Sequence, residues 1–206
     1  MAADPATIRL HGVSKRYGRQ WVIRELNATF RGGTPIGIRG RNGAGKSTLL
    51  RLLAAQLSPT RGSVRFTVGG LDVPAAAMYR HVSWTGPYFE VVEELSLVEF
   101  LTFHFRMKPA RAGLDARRVL ERTGLLPFAH RTLNDCSSGM RQRVLLATAL
   151  YADTPVLLLD EPTVTFDGAA VEWFHRELGE FGRDRLTVIA SNDAADLQGC
   201  ASVIDL

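Results

Sequence analysis

A glycine-rich segment followed by a lysine and two hydroxyl residues occupies residues 40–48. Its glycines let the backbone wrap tightly and turn N–H groups inward, where they can cradle phosphate oxygens. Lys46 can reach the β- and γ-phosphates of a nucleotide, and the Ser47 hydroxyl can bind Mg²⁺. The segment therefore predicts a nucleotide phosphate site. Its residues are Gly40, Arg41, Asn42, Gly43, Ala44, Gly45, Lys46, Ser47 and Thr48.

Two adjacent carboxylates, Asp160 and Glu161, follow an apolar run that is typical of a strand buried on both faces. A carboxylate that ends such a strand lies at the carboxyl edge of the sheet, where ligands bind in this class of fold. We expect Asp160 to hold Mg²⁺, directly or through water, and Glu161 to polarise the attacking water as a general base. The pair means little alone, but beside the loop at 40–48 it predicts a nucleotide-hydrolysing site.

A second possible anion site begins at residue 137. Two serines and a glycine lead into a run that predicts a helix, and the N-terminus of a helix attracts anions through its free N–H groups and its dipole. A plain serine N-cap would account for Ser137 alone. The segment raises the question of which phosphate a second site would bind, since residues 40–48 already supply one.

The elements that position these residues alternate between strands and helices. Apolar runs at 34–40, 156–160 and 186–191 predict strands, whereas the composition of 46–57 and 168–182 predicts helices. This alternation predicts an α/β fold with a mainly parallel sheet, and the loop at 40–48 makes it a P-loop NTPase core.

Two further segments depart from that alternation. Residues 7–30 predict strands around a turn near Gly18, and so an antiparallel β part at the N-terminus. The block 88–152 predicts mostly helix and contains the second anion site. We therefore expect one domain over 1–206, with a nucleotide-binding α/β core (1–87 and 153–206) and an inserted helical subdomain (88–152).

Composition limits the classes of protein to consider. The chain has 206 residues, of which 46% are hydrophobic and 22% charged, and this balance is ordinary for a soluble globular protein. A formal charge of +4 is mild, and we expect no nucleic acid partner. The two cysteines, Cys136 and Cys200, fit no zinc or disulfide pattern. The sequence has no signal-peptide pattern and no apolar run of about twenty residues, so we expect a cytosolic chain.

Taken in order, the segments "GRNGAGKST", "CSSGMRQR", "VLLLDEPT" and "VTFD" resemble the ATP-binding subunits of ABC transporters over nearly the whole chain. The resemblance implies an ATPase that uses ATP and Mg²⁺ and pairs with a second copy of itself or a paralogue. In that family each subunit's signature segment caps the nucleotide held by its partner, which gives the second anion site a purpose. The signature here is Ser137, Ser138, Gly139 and Met140.

The resemblance also implies roles for two single residues. Tyr17 matches the aromatic residue that stacks on adenine, although ordinary packing is an alternative. Asp167 matches the aspartate that links the two sites across the dimer. A solvent-facing helix N-cap is the alternative for Asp167, and both can hold.

Two residues of the family pattern are missing. Gly86, Pro87 and Tyr88 stand where the family has a glutamine that touches Mg²⁺ and water, and Asn192 and Asp193 stand where it has a histidine. Asn192 can donate a hydrogen bond to phosphate, but an ionised Asp193 cannot. One interpretation is a slower but working enzyme, in which both residues belong to the catalytic site. The other is an ATP-gated clamp with very weak hydrolysis.

The leading hypothesis is the ATPase subunit of an ABC transporter, bound to transmembrane permease subunits at the cytoplasmic face of the membrane. Residues 82–104 most resemble the ATP-binding subunit of the cytochrome c maturation haem exporter. A subunit of a generic drug, lipid or ion exporter is an alternative. The rival class is a non-transport ABC ATPase acting on ribosomes or DNA, but the second cassette or long coiled coil of such proteins is lacking in this sequence.

Overall fold

The computed structural model of the protein describes residues 4–86 and 91–206, so the predictions for Pro87 and Tyr88 lie outside the described residues. Two compact units divide the chain. The first comprises Met1–Trp84, Thr154–Glu161 and Gly182–Leu206. The second comprises Thr85–Asp153 and Pro162–Phe181.

The regular elements of the described residues follow in chain order. The strands are β1 (Thr7–Tyr17), β2 (Gln20–Arg31), β3 (Ile36–Arg39), β4 (Arg61–Val68), β5 (Leu71–Val73), β6 (Val82–Thr85), β7 (Val156–Asp160), β8 (Leu186–Ser191) and β9 (Ser202–Asp205). The helices are α1 (Lys46–Leu53), α2 (Leu97–Met107), α3 (Ala116–Arg122), α4 (Ser138–Leu150) and α5 (Gly168–Phe181). Short 3₁₀ helices cover Ala75–Arg80 and Leu126–Phe128. No helix in these described ranges is both long and apolar enough to cross a membrane.

Four strands of the first unit form an antiparallel sheet in the order β2-β1-β4-β5. Alternation of apolar and polar residues in β1 brings Ile8 opposite Phe30 of β2 and Phe66 of β4, and all three side chains are buried. The turn between β1 and β2 contains Gly18 at φ 55°, a left-handed conformation that glycine adopts without strain. These pairs give the sheet an apolar face for the core of the unit.

The other sheet of the first unit has the order β6-β7-β8-β3-β9, and the pairs β7/β8, β8/β3 and β3/β9 are parallel. Every residue of β7 and β8 is buried, as their continuous apolar runs predict. Asp160 of β7 pairs with Ala190 of β8, and Arg39 of β3 pairs with Ser191. The carboxyl ends of β3, β7 and β8 therefore lie along the same side of this sheet. The predicted fold class is confirmed.

Helix α1 is shorter than its composition predicts: it ends at Leu53 and not at residue 57. Ala55 has φ 56°, and the Gln56 N–H donates to the Arg51 carbonyl at 2.9 Å. A left-handed residue with such a backward bond is a common helix end, normally marked by glycine. Because this position holds alanine, the sequence gives no signal for the end of α1.

The second unit is built from helices α2 to α5, and an ion pair between the partly buried Arg122 and the buried Glu177 ties α3 to α5. The Arg122 guanidinium donates to Glu177 Oε2 at 2.8 Å, and the Tyr151 hydroxyl donates to the same oxygen at 2.9 Å. The Trp173 indole N–H donates to the Arg122 carbonyl at 2.9 Å. Removing one member of a buried group like this leaves a charge unpaired, so the group fixes how these helices pack.

Candidate functional site

The loop between β3 and α1 is shaped by its glycines. Gly43 and Gly45 have φ 83° and 109°, in the region that favours glycine. A Cβ atom at Gly45 would lie 2.8 Å from Val22 Cγ1, so β2 also excludes any side chain there. Helix α1 begins at Lys46, directly after this turn. The free N–H groups of its first turn therefore face the loop, as a phosphate site requires.

The side chain of Lys46 is buried, with 6% of its surface exposed. Its ammonium group donates to the Gly40 carbonyl at 2.8 Å and lies 3.0 Å from Glu161 Oε1. The structure thus brings together the predicted phosphate-binding lysine and the predicted general base. Both contacts hold the ammonium group at the mouth of the loop.

Asp160 ends β7 with only 4% of its surface exposed. Burial raises the pKa of its carboxyl group, while a hydrogen bond from Ser47 lowers it and the charge of Glu161 raises it. Its Oδ1 atom is buried and accepts no hydrogen bond from the described residues. A buried carboxylate oxygen without a partner is costly to the fold, and a bound cation would satisfy it.

This donor set fits Mg²⁺ as the sequence predicts. The ion prefers oxygen ligands and is usually bound through one or two carboxylates, phosphate oxygens and water. Ser47 and Asp160 offer a hydroxyl and a carboxylate beside the loop. Among residues 4–86 and 91–206, no group of three or more histidine, cysteine or acidic side chains could hold a metal by itself. The ion would take its remaining ligands from phosphate oxygens and water.

Glu161 has φ 46°, a left-handed conformation that is rare for glutamate. Its N–H donates to the Ala190 carbonyl at 2.8 Å, which ties the strained residue to the neighbouring strand. Its Oε2 atom accepts from Ser191 Oγ at 2.9 Å and from the Asn192 N–H at 3.3 Å. Backbone strain of this kind persists where surrounding contacts hold it, and it is concentrated at functional sites.

The two residues that replace the expected histidine differ in their surroundings. The Asn192 side-chain amide donates to Asn42 Oδ1 at 3.5 Å, so this residue reaches the loop. The Asp193 carboxylate accepts from the Ala195 N–H at 2.9 Å, in the turn that follows β8. The structure therefore brings Asn192 to the predicted phosphate site, whereas Asp193 bonds to its own turn.

In the second unit, Ser137 is the N-cap of α4, and its Oγ accepts from the Met140 N–H at 3.2 Å. Ser138 begins the helix, and both serines are exposed. Because a hydroxyl has one donor and two acceptor sites, this cap leaves the Ser137 hydrogen for another acceptor. The N-cap interpretation and the anion-site interpretation are thus compatible.

Asp167 and Tyr17 are both exposed. Asp167 caps α5, since its Oδ1 accepts from the Ala170 N–H at 2.8 Å. Tyr17 lies at the end of β1 with 47% of its surface exposed, and Lys15 Nζ is 5.5 Å from its ring centroid. Core packing does not account for an aromatic ring this exposed, and the ring is accessible to a ligand.

The sequence did not point to Ser191 and Asp196. Ser191 Oγ lies between Glu161 Oε2 and Asp196 Oδ2, at 2.9 and 2.6 Å. The available signal was a hydroxyl residue at the end of a buried strand. It becomes informative only when the strand order, which puts β8 beside β7, is known.

Comparison with known proteins gives concordant results. The family model described as "ABC transporter" matches residues 23–164. The chain is 37% identical over 169 residues to a cobalamin import ATP-binding protein of Halobacterium salinarum, covering 78% of this chain and 42% of the relative. It is 35% identical over 205 residues to an aliphatic sulfonates import ATP-binding protein of Burkholderia thailandensis, covering 98% and 58%. The chain spans about half the length of these curated relatives.

One similar solved structure is a dimeric ATP-binding cassette in a post-hydrolysis state, bound to ADP and phosphate. Its TM-score is 0.82, with 22% sequence identity, and the alignment covers 97% of this chain and 94% of that chain. At this identity the likeness establishes the fold.

Proposed function

The chain belongs to the ABC transporter family, and from this premise we propose that it binds and hydrolyses ATP as the cassette of a transporter. The observation that carries the proposal is the meeting of Lys46, Asp160 and Glu161 at one sheet edge. Lys46 Nζ lies 3.0 Å from Glu161, and the buried Asp160 has an oxygen without a hydrogen-bond partner among the described residues. Together they offer one group for phosphate, one for metal and one for water.

The chemistry follows from what each side chain can do. The loop N–H groups and Lys46 would hold the β- and γ-phosphates, and Ser47 and Asp160 would hold Mg²⁺, which would supply positive charge to the phosphate oxygens. Lys46 then exchanges its contact with Glu161 for phosphate oxygens. This exchange leaves Glu161 Oε1 available to accept a proton from the attacking water.

We propose that the chain works as a dimer, either with itself or with a paralogue. The Ser137 hydroxyl and the backbone N–H of Gly139 would contact the γ-phosphate bound by the partner copy, helped by the dipole of α4. Asp167 would communicate between the two sites, and Tyr17 would stack on adenine. The dimeric state of the similar solved cassette supports the pairing.

The finer identity of the transporter also belongs to the proposal. Transmembrane permease subunits would carry the substrate, and the cassette, a single domain over 1–206, would lie on them at the cytoplasmic face. The haem-exporter subtype depends only on the resemblance of residues 82–104. Two relatives are named as import proteins, for cobalamin and for aliphatic sulfonates, and this favours neither that subtype nor export in general.

A second candidate function is an ATP-gated clamp that hydrolyses very poorly. It is favoured by Asn192, which can donate a hydrogen bond but carries no positive charge where the family has a histidine. We nevertheless favour a slow enzyme, because Glu161 is held beside Lys46 in a constrained conformation. Phosphate release separates the two candidates.

The nucleotide site is tested by equilibrium ATP binding to the full chain and to Lys46→Ala. We expect affinity to be lost in this variant, since it removes the cation placed at the mouth of the loop. Arg65→Ala is the matched control, because it removes an exposed cation from the same unit. Unchanged affinity in a folded Lys46→Ala protein would overturn the assignment of this loop.

A further inference from the structure

The last residue of β8, Ser191, is fully buried (0% exposed) and touches the predicted general base. Its Oγ lies 2.9 Å from Glu161 Oε2. The hydroxyls of other buried strand residues bond differently: Thr187, on the same strand, donates to the Gly182 carbonyl at 3.0 Å. Ser191 is therefore placed by the strand order against a reactive carboxylate rather than against backbone.

The Ser191 oxygen is fixed from two other sides. Asp196 Oδ2 lies 2.6 Å away, and the Asp193 N–H donates to the hydroxyl oxygen at 3.0 Å. The single hydroxyl hydrogen lies between the two carboxylate oxygens, of Glu161 and Asp196, and the Asp193 N–H fixes the hydroxyl oxygen from a third direction. The turn after β8 thus holds the side chain of Ser191 in one orientation.

The two oxygens of Glu161 have separate partners. Oε1 lies against Lys46 at 3.0 Å, whereas Oε2 contacts Ser191 and the Asn192 N–H. Phosphate binding redirects Lys46, so it removes the contact of Oε1 and leaves those of Oε2. The two contacts of Oε2 are therefore the ones that remain to orient the carboxylate of Glu161, whose backbone has the unfavourable φ of 46°.

We infer that Ser191 is a positioning residue for hydrolysis, which holds Oε2 of Glu161 so that Oε1 faces the attacking water. The inference rests on the proposed function and deepens it. It gives β8 a part in the reaction through a neutral hydroxyl, in a protein that has asparagine at the next position. Because Ser191 acts through Glu161, its loss affects the chemical step and leaves nucleotide binding intact.

Steady-state phosphate release and ATP affinity of the full chain test this inference in three variants. Ser191→Ala removes the hydroxyl, while Ser191→Thr and Ser191→Val have nearly the same shape and differ in the hydroxyl alone. We expect kcat to fall about tenfold to a hundredfold in Ala and Val, the range for a lost hydrogen bond to a charged group. KM and ATP affinity should stay within about twofold, and Thr should be faster than Val. Thr187→Val is the control for loss of a buried hydroxyl from the same strand.

Several results would overturn the inference. One is a kcat of Ser191→Ala within about twofold of that of the parent chain, and another is an equal kcat for Ser191→Thr and Ser191→Val. The inference also fails if Thr187→Val loses as much rate as Ser191→Ala, or if ATP affinity falls as much as the rate does. Failure of the proposed function would give a different experimental result. In that case the parent chain itself releases no more phosphate than Lys46→Ala, whatever residue stands at position 191.

Discussion

Replacing Asp160 by asparagine is expected to stabilise the protein without nucleotide and to reduce its stabilisation by Mg-ATP by more than half. The carboxylate is 4% exposed, burial raises its pKa, and Oδ1 has no hydrogen-bond partner among the described residues. Asparagine has nearly the same shape and no charge to desolvate. It can also keep the contact with Ser47, since its amide can both donate and accept.

Two opposing shifts follow from this substitution. Removing the buried, incompletely hydrogen-bonded charge contributes about 1 kcal/mol, the low end of the usual cost of an unsatisfied buried group, and the midpoint of thermal unfolding should rise by about 2–4 °C. Mg-ATP at a hundred times its Kd stabilises the parent chain by about 2.7 kcal/mol, or about 5–11 °C. The Asn variant should lose more than half of this gain, because its metal ligand is neutral.

Thermal unfolding followed by circular dichroism, in EDTA and in saturating Mg-ATP, measures both shifts in one experiment. Asp72→Asn is the control, because this aspartate is exposed and its nearest Arg65 nitrogen is 3.9 Å away. We expect no change at either condition in the control. A lower midpoint for Asp160→Asn in EDTA, or a full Mg-ATP gain, would refute the metal-site reasoning.

The remaining predictions concern pH and assembly. Burial lowers the pKa of His104 from 6.5 to about 4, so its contribution to stability is present above pH 6.5 and is lost as the pH falls toward 4. In His104→Gln, the fall in the free energy of unfolding between pH 6.5 and pH 4, measured by denaturant titration, should therefore be smaller by up to about 3 kcal/mol. An unchanged pH dependence would contradict this prediction. Glu161→Gln should form an ATP-bound dimer by light scattering, which adding Ser137→Arg disperses. A Glu161→Gln protein that stays monomeric at high concentration would count against pairing.

Local features of this chain are the ones that its sequence predicts best. The loop at 40–48 depends on glycine conformations and on adjacent side chains, and the buried runs of β7 and β8 depend on continuous apolar residues. Both features can be recognised without knowing what lies beside them in space. The α/β fold followed from the alternation of such elements.

The missed features depend on neighbours distant in the chain. Ser191 is 30 residues from Glu161 and meets it only because β8 lies beside β7. The end of α1 was missed for another reason: Ala55 adopts a left-handed conformation that is normally signalled by glycine. The separate contacts of the two Glu161 oxygens likewise arise from packing, and no spacing in the sequence indicates them.

Phosphate release at saturating Mg-ATP, by the parent chain and by Glu161→Gln, tests the central claim most directly. We predict slow turnover by the isolated chain, below about 1 s⁻¹, because the histidine and glutamine of the family pattern are replaced. Glu161→Gln should still bind ATP but release phosphate about a hundredfold to ten-thousandfold more slowly, the range for loss of a general base. Equal rates for the two proteins, or no release by the parent chain, would contradict the account of this site as an ATPase with Glu161 as its base.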